Sequence, residues 1–91
     1  MNKEEQYESL RNELNKGVTW PMLYMFKFIL PADSKKIALV ESKFSEKADI
    51  TQKESAGGKY ISITVKQVME SADAIIEKYK EMEDIEGVMS L

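Results

Sequence analysis

The sequence predicts an α+β fold in which two helices cover one face of a four-stranded antiparallel sheet. Two segments, residues 22–30 and 59–66, alternate their side chains between two faces as strands do. Two others, residues 34–47 and 70–82, carry apolar residues at helical spacing. With weaker strands at 49–54 and 85–91, the order is β-α-β-β-α-β, and this order is typical of the ferredoxin-like sandwich.

A helix is predicted before this unit. Tyr7, Leu10 and Leu14 form a narrow apolar stripe over residues 3–15, and Gly17 is a plausible stop signal. Trp20-Pro21 marks a boundary, because the residue before proline favours extended geometry. We therefore divide the chain into an N-terminal helical extension, residues 1–19, and a ferredoxin-like domain, residues 20–91.

The strand at residues 22–30 is apolar on nearly both faces, which predicts a central position in the sheet, and Pro31 ends it. The next clear strand points three apolar side chains inward and three others outward. The turn before it contains two glycines that can supply positive φ. The inward residues of the two strands are Tyr24, Phe26, Phe28, Leu30, Ile61, Ile63 and Val65.

Each of the two domain helices has a predicted start and an apolar stripe. Asp33 or Ser34 caps the first helix, which is expected to run to about Lys47. The second is expected from about Glu70 to Met82. Their buried stripes are Ile37, Val40 and Phe44 in the first, and Ala72, Ile75, Ile76, Tyr79 and Met82 in the second.

Size and composition limit the classes of function. The chain has 91 residues, 43% hydrophobic and 32% charged, which suits one small domain without a large internal cavity. It has no cysteine and no histidine, so disulfides, thiolate or imidazole catalysis and the usual zinc sites are excluded. A net charge of -3 disfavours nucleic-acid binding. The polar N-terminus predicts no signal peptide and no apolar run could span a membrane, so we expect a cytoplasmic protein.

Three segments resemble a known family. They are Trp20-Pro21 followed by Tyr24 to Ile29, then Gly58 to Val65, and the ending Gly87 to Leu91. Together they are similar to the YbeD-like group of small bacterial proteins, over roughly residues 20–91. The resemblance implies a ferredoxin-like fold and no activity, since that group is uncharacterised. Its shape is likened to ACT domains, which bind small effectors and dimerise through their sheets. Leu30-Pro31 replaces a glycine of the family pattern.

The candidate interaction surface is the sheet face opposite the helices. If the aromatic row of the first strand faces the helices, a half-apolar set of side chains faces out, and such a patch usually meets a partner. The alternative is that the N-terminal helix folds back and covers it. The candidate surface consists of Leu23, Met25, Lys27, Ile29, Tyr60, Ser62 and Thr64, with Lys66 beside them.

Four other features have a structural interpretation that we prefer. Lys27 could bind an anion, but a lysine in a strand more often extends along apolar neighbours. Gly57-Gly58-Lys59 lacks the spacing of a phosphate-binding loop and predicts a hairpin turn. Tyr60 lacks the aromatic neighbours that RNA-binding sheets need. The acidic residues of positions 81–86 lack calcium-loop spacing, which favours a solvated helix end.

These observations predict a non-catalytic domain with no cofactor, no metal and no catalytic residue. Acylphosphatases share the predicted topology but hold phosphate with an arginine near the first strand, whereas the arginine of this chain, Arg11, lies in the N-terminal helix. The leading hypothesis is a regulatory or binding module that forms a homodimer or meets a protein partner. The alternative is a sensor of a small-molecule effector, and an enzyme is the third option.

Overall fold

Three helices and four strands make up the computed structural model, which describes residues 2–91. The element order agrees with the prediction. The elements are α1 Lys3–Leu14, β1 Met22–Pro31, α2 Ser34–Ser42, β2 Asp49–Glu54, β3 Tyr60–Met69, α3 Ala72–Glu83 and β4 Met89–Ser90.

The four strands form one sheet in the order β2-β3-β1-β4, and every neighbouring pair is antiparallel. The predicted α+β class and the four-stranded antiparallel sheet are confirmed. The two strands with the most apolar sequence, β1 and β3, occupy the centre as predicted and pair over ten residues each, with Phe26 opposite Val65. The polar strand β2 lies at an edge, where water can reach its side chains.

The core lies between one face of this sheet and the helices α2 and α3. Phe26 and Phe28 are fully buried, and the ring centroid of Phe44, which follows α2, lies 5.2 Å from that of Phe26, with the two rings tilted by 55°. The inward strand residues named above are all buried except Tyr24, which is half-buried. From the helices, the core receives Val40, Ala72, Ile75, Ile76 and Met82.

Both domain helices begin at side-chain caps. The Asp33 carboxylate accepts hydrogen bonds from the backbone N–H groups of Lys35 and Lys36, so Asp33 and not Ser34 is the N-cap. The Ser71 hydroxyl accepts from Ala74 N–H at 3.1 Å, which starts α3 two residues later than predicted. These bonds satisfy donors that the first helical turn leaves free.

Helix α2 ends at Ser42, five residues before the predicted end. The N–H groups of Lys43 and Phe44 donate to carbonyls three residues back, at Val40 and Glu41, which tightens and closes the last turn. Phe44 follows Val40 by four residues and therefore continues the apolar stripe beyond the helix. Periodicity alone could not distinguish this buried residue from a helical one.

The last strand is much shorter than predicted, with two residues in place of seven. A turn precedes it, in which Gly87 has a φ of 87°, a conformation that glycine adopts readily. A Cβ on Gly87 would lie 3.2 Å from Cδ of Pro31, so the chain passes close to the end of β1 there. Strand pairing starts only after this close passage, at Met89.

Helix α1 packs beside α3, not over the open face of the sheet. Lys3 Nζ lies 3.4 Å from a carboxylate oxygen of Glu83, and Arg11 Nε donates to Asp73 at 2.6 Å. The first contact joins the start of α1 to the end of α3, and the second joins the end of α1 to the start of α3. The two helices are therefore antiparallel. Among residues 2–91, no helix is long and apolar enough to cross a membrane.

Candidate functional site

The face of the sheet opposite the helices is uncovered in the described chain, and we call it the open face. The pairing register determines its members, because residues directly opposite each other share a face. On β1 and β3 they are Leu23, Met25, Lys27, Ile29, Tyr60, Ser62, Thr64, Lys66 and Val68. The edge strands add Asp49, Thr51, Lys53 and Met89.

Large apolar side chains on this face are exposed to solvent. Leu23 is 63% exposed, Met25 56%, Val68 57% and Met89 63%. Leu23 lies directly opposite Val68, and Met89 lies opposite Ile29, so apolar side chains lie near both ends of β1, with the exposed Lys27 between them. Exposed apolar side chains grouped on one face in this way typically mark an interaction site.

All seven residues of the predicted candidate surface lie on the open face. Leu23, Met25, Lys27 and Tyr60 are exposed, whereas Ile29, Ser62 and Thr64 are half-buried. The structure therefore places all seven on one face of the sheet. Lys27 extends into solvent opposite Thr64, and within residues 2–91 it forms no ion pair.

Two exposed apolar members of the face, Val68 and Met89, were missed from the sequence, as were the exposed polar residues Asp49, Thr51 and Lys53 of β2. Strand β3 was predicted to end at Val65-Lys66, yet it continues to Met69. The alternation from Tyr60 through Val68 was the signal that could have shown this. Met89 could not be assigned to a face, because the sequence does not reveal its register against β1.

Charged and hydroxyl side chains occupy the other half of the face, toward β2. Asp49 lies opposite Lys66, and Thr51 lies opposite Thr64. The open face thus has an apolar half, formed by Leu23, Met25, Ile29 and Met89 with the adjacent Val68 of β3 and with Lys27 among them, and a polar half over β2 and the neighbouring part of β3. Such a division resembles the apolar centre and polar rim of protein interfaces.

A groove of about 390 Å³ lies on the helical side, between α1, α3 and the end of β4. Its wall includes Leu10 from α1 and Leu91 beyond β4. Two half-buried tyrosines, Tyr24 and Tyr79, also line it, and their hydroxyl oxygens lie 2.9 Å apart. At its rim, the Tyr7 hydroxyl donates to the carboxylate of Glu83. The groove is more apolar than polar, with few charged groups.

Burial raises the pKa of Tyr79 well above that of a free tyrosine, and the hydrogen bond with Tyr24 raises it further. The folded state then keeps the Tyr79 proton above pH 10, where the unfolded chain loses it. Unfolding releases that proton, so the free energy of unfolding falls as pH rises through this range.

A Tyr79→Phe variant should therefore show a shallower loss of stability above pH 10 than the wild type. Denaturant unfolding measured between pH 8 and pH 11 tests this. The matched control is Tyr60→Phe, which removes a hydroxyl from the exposed open face and should keep the wild-type slope. Equal slopes for Tyr79→Phe and the wild type would contradict the assignment.

The remaining sequence candidates have structural surroundings. Gly57 and Gly58 have φ of 88° and 70° and form the β2–β3 turn, as predicted. Glu83 contacts α1, and Glu81 pairs with Lys78 at 3.4 Å. Within the part of the chain that the structure describes, no group of three or more acidic residues could hold a metal ion. Arg11 pairs with Asp73 and Glu8 on the helical side.

Comparison with known proteins gives a family but no activity. The model of a family described as "Protein of unknown function (DUF493)" matches residues 15–91. The chain belongs to the DUF493 family. Its match begins just after α1, so the DUF493 region comprises the whole sheet with α2 and α3. No curated protein and no solved structure matches the chain.

Proposed function

We propose that this DUF493 chain is a non-catalytic, YbeD-like binding domain that forms a homodimer through its open face. The proposal is carried by one observation, the exposed apolar half of that face. Water contacts with Leu23, Met25 and Val68 are costly in the monomer, and a partner surface would remove them. No enzyme activity is required by this arrangement.

The size of the face suits a small interface. The two central strands have ten residues each and are about 33 Å long, whereas β2 has six residues and β4 has two. With strands about 4.8 Å apart, the area is roughly 440 Å² before the relief of the side chains is counted. That is about half of the ~800 Å² that each partner of a standard-size complex buries. The accessible surface of the chain is 6105 Å², larger than the roughly 5,400 Å² expected for a monomer of its mass.

A second copy is the partner that suits this surface. In a two-fold interface each copy presents the same patch, so an apolar half on one copy meets an apolar half on the other. The polar half carries both signs of charge, Asp49 and Lys66 among them. Two-fold packing can therefore place the acidic residue of one copy near a basic residue of the other.

The strand order also supports a ferredoxin-like assignment within the proposal. In the order β2-β3-β1-β4, α2 connects β1 to β2 and α3 connects β3 to β4, and each connection passes over one intervening strand, which is the arrangement expected for a split β-α-β fold. The likeness to ACT domains, which dimerise through their sheets, adds support by analogy only. A regulatory role would follow from association, since the dimer would bring two copies of any attached protein together.

Sedimentation at increasing concentration tests the dimer directly. We expect the mass to rise from that of one 10.4 kDa chain toward twice that value across the micromolar range. Raised salt should change this little, because the buried patch is apolar. A single 10.4 kDa species persisting to several hundred micromolar would refute the homodimer.

A further inference from the structure

Strand β1 is paired unequally on its two sides. On one side it pairs with β3 along all ten residues, from Met22 to Pro31. On the other side β4 pairs with only two of them, Phe28 and Ile29. The stretch from Met22 to Phe26 therefore forms a sheet edge with no neighbouring strand in the described chain.

Three hydrogen bonds show which backbone groups face this edge. Leu91 N–H donates to the Lys27 carbonyl at 2.9 Å, so odd-numbered residues of β1 direct their backbone groups toward β4. Ala32 N–H donates to Lys59 at 3.0 Å, which directs even-numbered residues toward β3. Ser55 N–H donates to Tyr60 at 2.9 Å, which fixes the same alternation on β3 from its other side.

Five backbone groups consequently have no partner among residues 2–91. They are the N–H and C=O groups of Leu23 and of Met25 and the N–H of Lys27. Natural proteins usually shorten, twist or cover such an edge, because unpaired strand groups recruit other strands. Here the groups lie in the first six residues of the ten-residue strand β1, whose other side is paired with β3 throughout.

The groove described above lies next to this edge. Tyr24, between the two unpaired residues, points to the helical side and lines the groove. A strand placed along the edge would direct the side chain opposite Tyr24 into the groove. Its two neighbours would lie on the open face beside Leu23 and Met25, which are both exposed and apolar. The edge thus offers main-chain bonds for affinity and a recess for selectivity.

We propose that the Met22–Phe26 edge is a strand-addition site for an extended peptide segment of a partner protein. The segment runs antiparallel to β1, in line with β4, and forms four main-chain hydrogen bonds with Leu23 and Met25. Three successive apolar residues suit it, the middle one entering the groove and the outer two facing Leu23 and Met25. A single peptide strand fits this edge better than the sheet edge of a second copy does. Leu91 lies at one end of the edge, and α1, which packs beside α3, lines the groove next to it.

This site and the proposed dimer surface share the side chains of Leu23 and Met25 but use different groups for binding. The added strand bonds to main-chain N–H and C=O groups that lie in the plane of the sheet, whereas a second copy would pack on side chains that project from the open face. A protein that remains monomeric can still add a strand, and a dimer can form without one. Failure of one proposal therefore does not decide the other.

Amide hydrogen exchange on the wild-type protein tests the edge, at a concentration below that of any self-association. Without peptide, the amides of Leu23, Met25 and Lys27 should exchange fast, and those of Tyr24 and Phe26 slowly. The probe is a capped pentapeptide, lysine-valine-leucine-valine-lysine, at millimolar concentration. At saturation it should slow the amides of Leu23 and Met25 by at least about tenfold and leave Tyr24 and Phe26 unchanged.

The matched control peptide carries N-methyl groups on both valines, which removes the donors that would meet Leu23 and Met25. It should give no protection. Equal protection by the methylated peptide, or no protection by either at millimolar concentration, would overturn the proposal. Protection that grows with protein concentration in the absence of peptide would also overturn it, in favour of edge pairing between copies.

A pair of variants tests the same site without relying on exchange. Met25→Pro removes an N–H that faces the edge and not β3, so proline is tolerated there by the sheet. Relative to Met25→Val, which keeps the N–H, it should weaken peptide binding at least about fivefold. Leu23→Pro and Leu23→Val repeat the comparison if Met25→Pro does not fold. Equal peptide affinity within a folded pair would refute the site.

Discussion

A Phe26→Ala variant should lose about 3–5 kcal/mol of unfolding free energy, a large part of the 5–15 kcal/mol typical of a domain. Phe26 is fully buried at the centre of the aromatic cluster. Its ring centroid lies 4.8 Å from that of Tyr24, 5.2 Å from that of Phe44 and 5.4 Å from that of Tyr79. Truncation leaves a cavity between the sheet and both domain helices, and the rigid strand cannot close it.

Urea unfolding followed by circular dichroism measures this loss. The matched control is Tyr60→Ala, which also truncates an aromatic residue of a central strand, but on the open face, where Tyr60 is half exposed. It should change the free energy of unfolding by no more than about 0.5 kcal/mol. Similar losses in the two variants would mean that the two faces of the sheet are assigned wrongly.

Side-chain alternation made the faces of β1 and β3 predictable from the sequence. A strand has a period of two, so once one residue such as Phe26 is assigned to the core, every other residue of β1 follows. The caps of α2 and α3 were also predictable in kind, because short polar side chains before an apolar stripe satisfy free N–H groups. Seven residues of the open face were found in this way.

The features that the sequence could not predict depend on contacts between distant parts of the chain. The sequence around β4 does not indicate that Gly87 passes close to Pro31 and that strand pairing begins only at Met89. The position of α1 depends on ion pairs with Asp73 and Glu83, residues about 60 to 80 positions away in the chain. The unpaired edge of β1 depends on both the short pairing of β4 and the position of α1. Local periodicity therefore identified the open face but not the edge or the groove.

Met25→Asp should abolish the proposed dimer while leaving the monomer folded. Two-fold symmetry would place two carboxylates in one apolar interface, and a buried unpaired charge is costly. We expect the dimer dissociation constant to rise at least about 100-fold, which corresponds to about 2.7 kcal/mol. Because Met25 is 56% exposed in the single chain, the free energy of unfolding of the monomer should change by no more than about 0.5 kcal/mol.

Leu39→Asp is the matched control for this substitution. Leu39 is an exposed leucine on α2, 45% accessible, on the side of the molecule away from the open face. The Leu39→Asp variant introduces the same charge as Met25→Asp at a different location. It therefore separates the effect of location from that of net charge, and it should leave dimerisation unchanged. Val68→Asp, on the neighbouring strand of the open face, should instead reproduce the effect of Met25→Asp. If all three variants weaken association equally, general charge repulsion explains the loss, and the open face is not the interface.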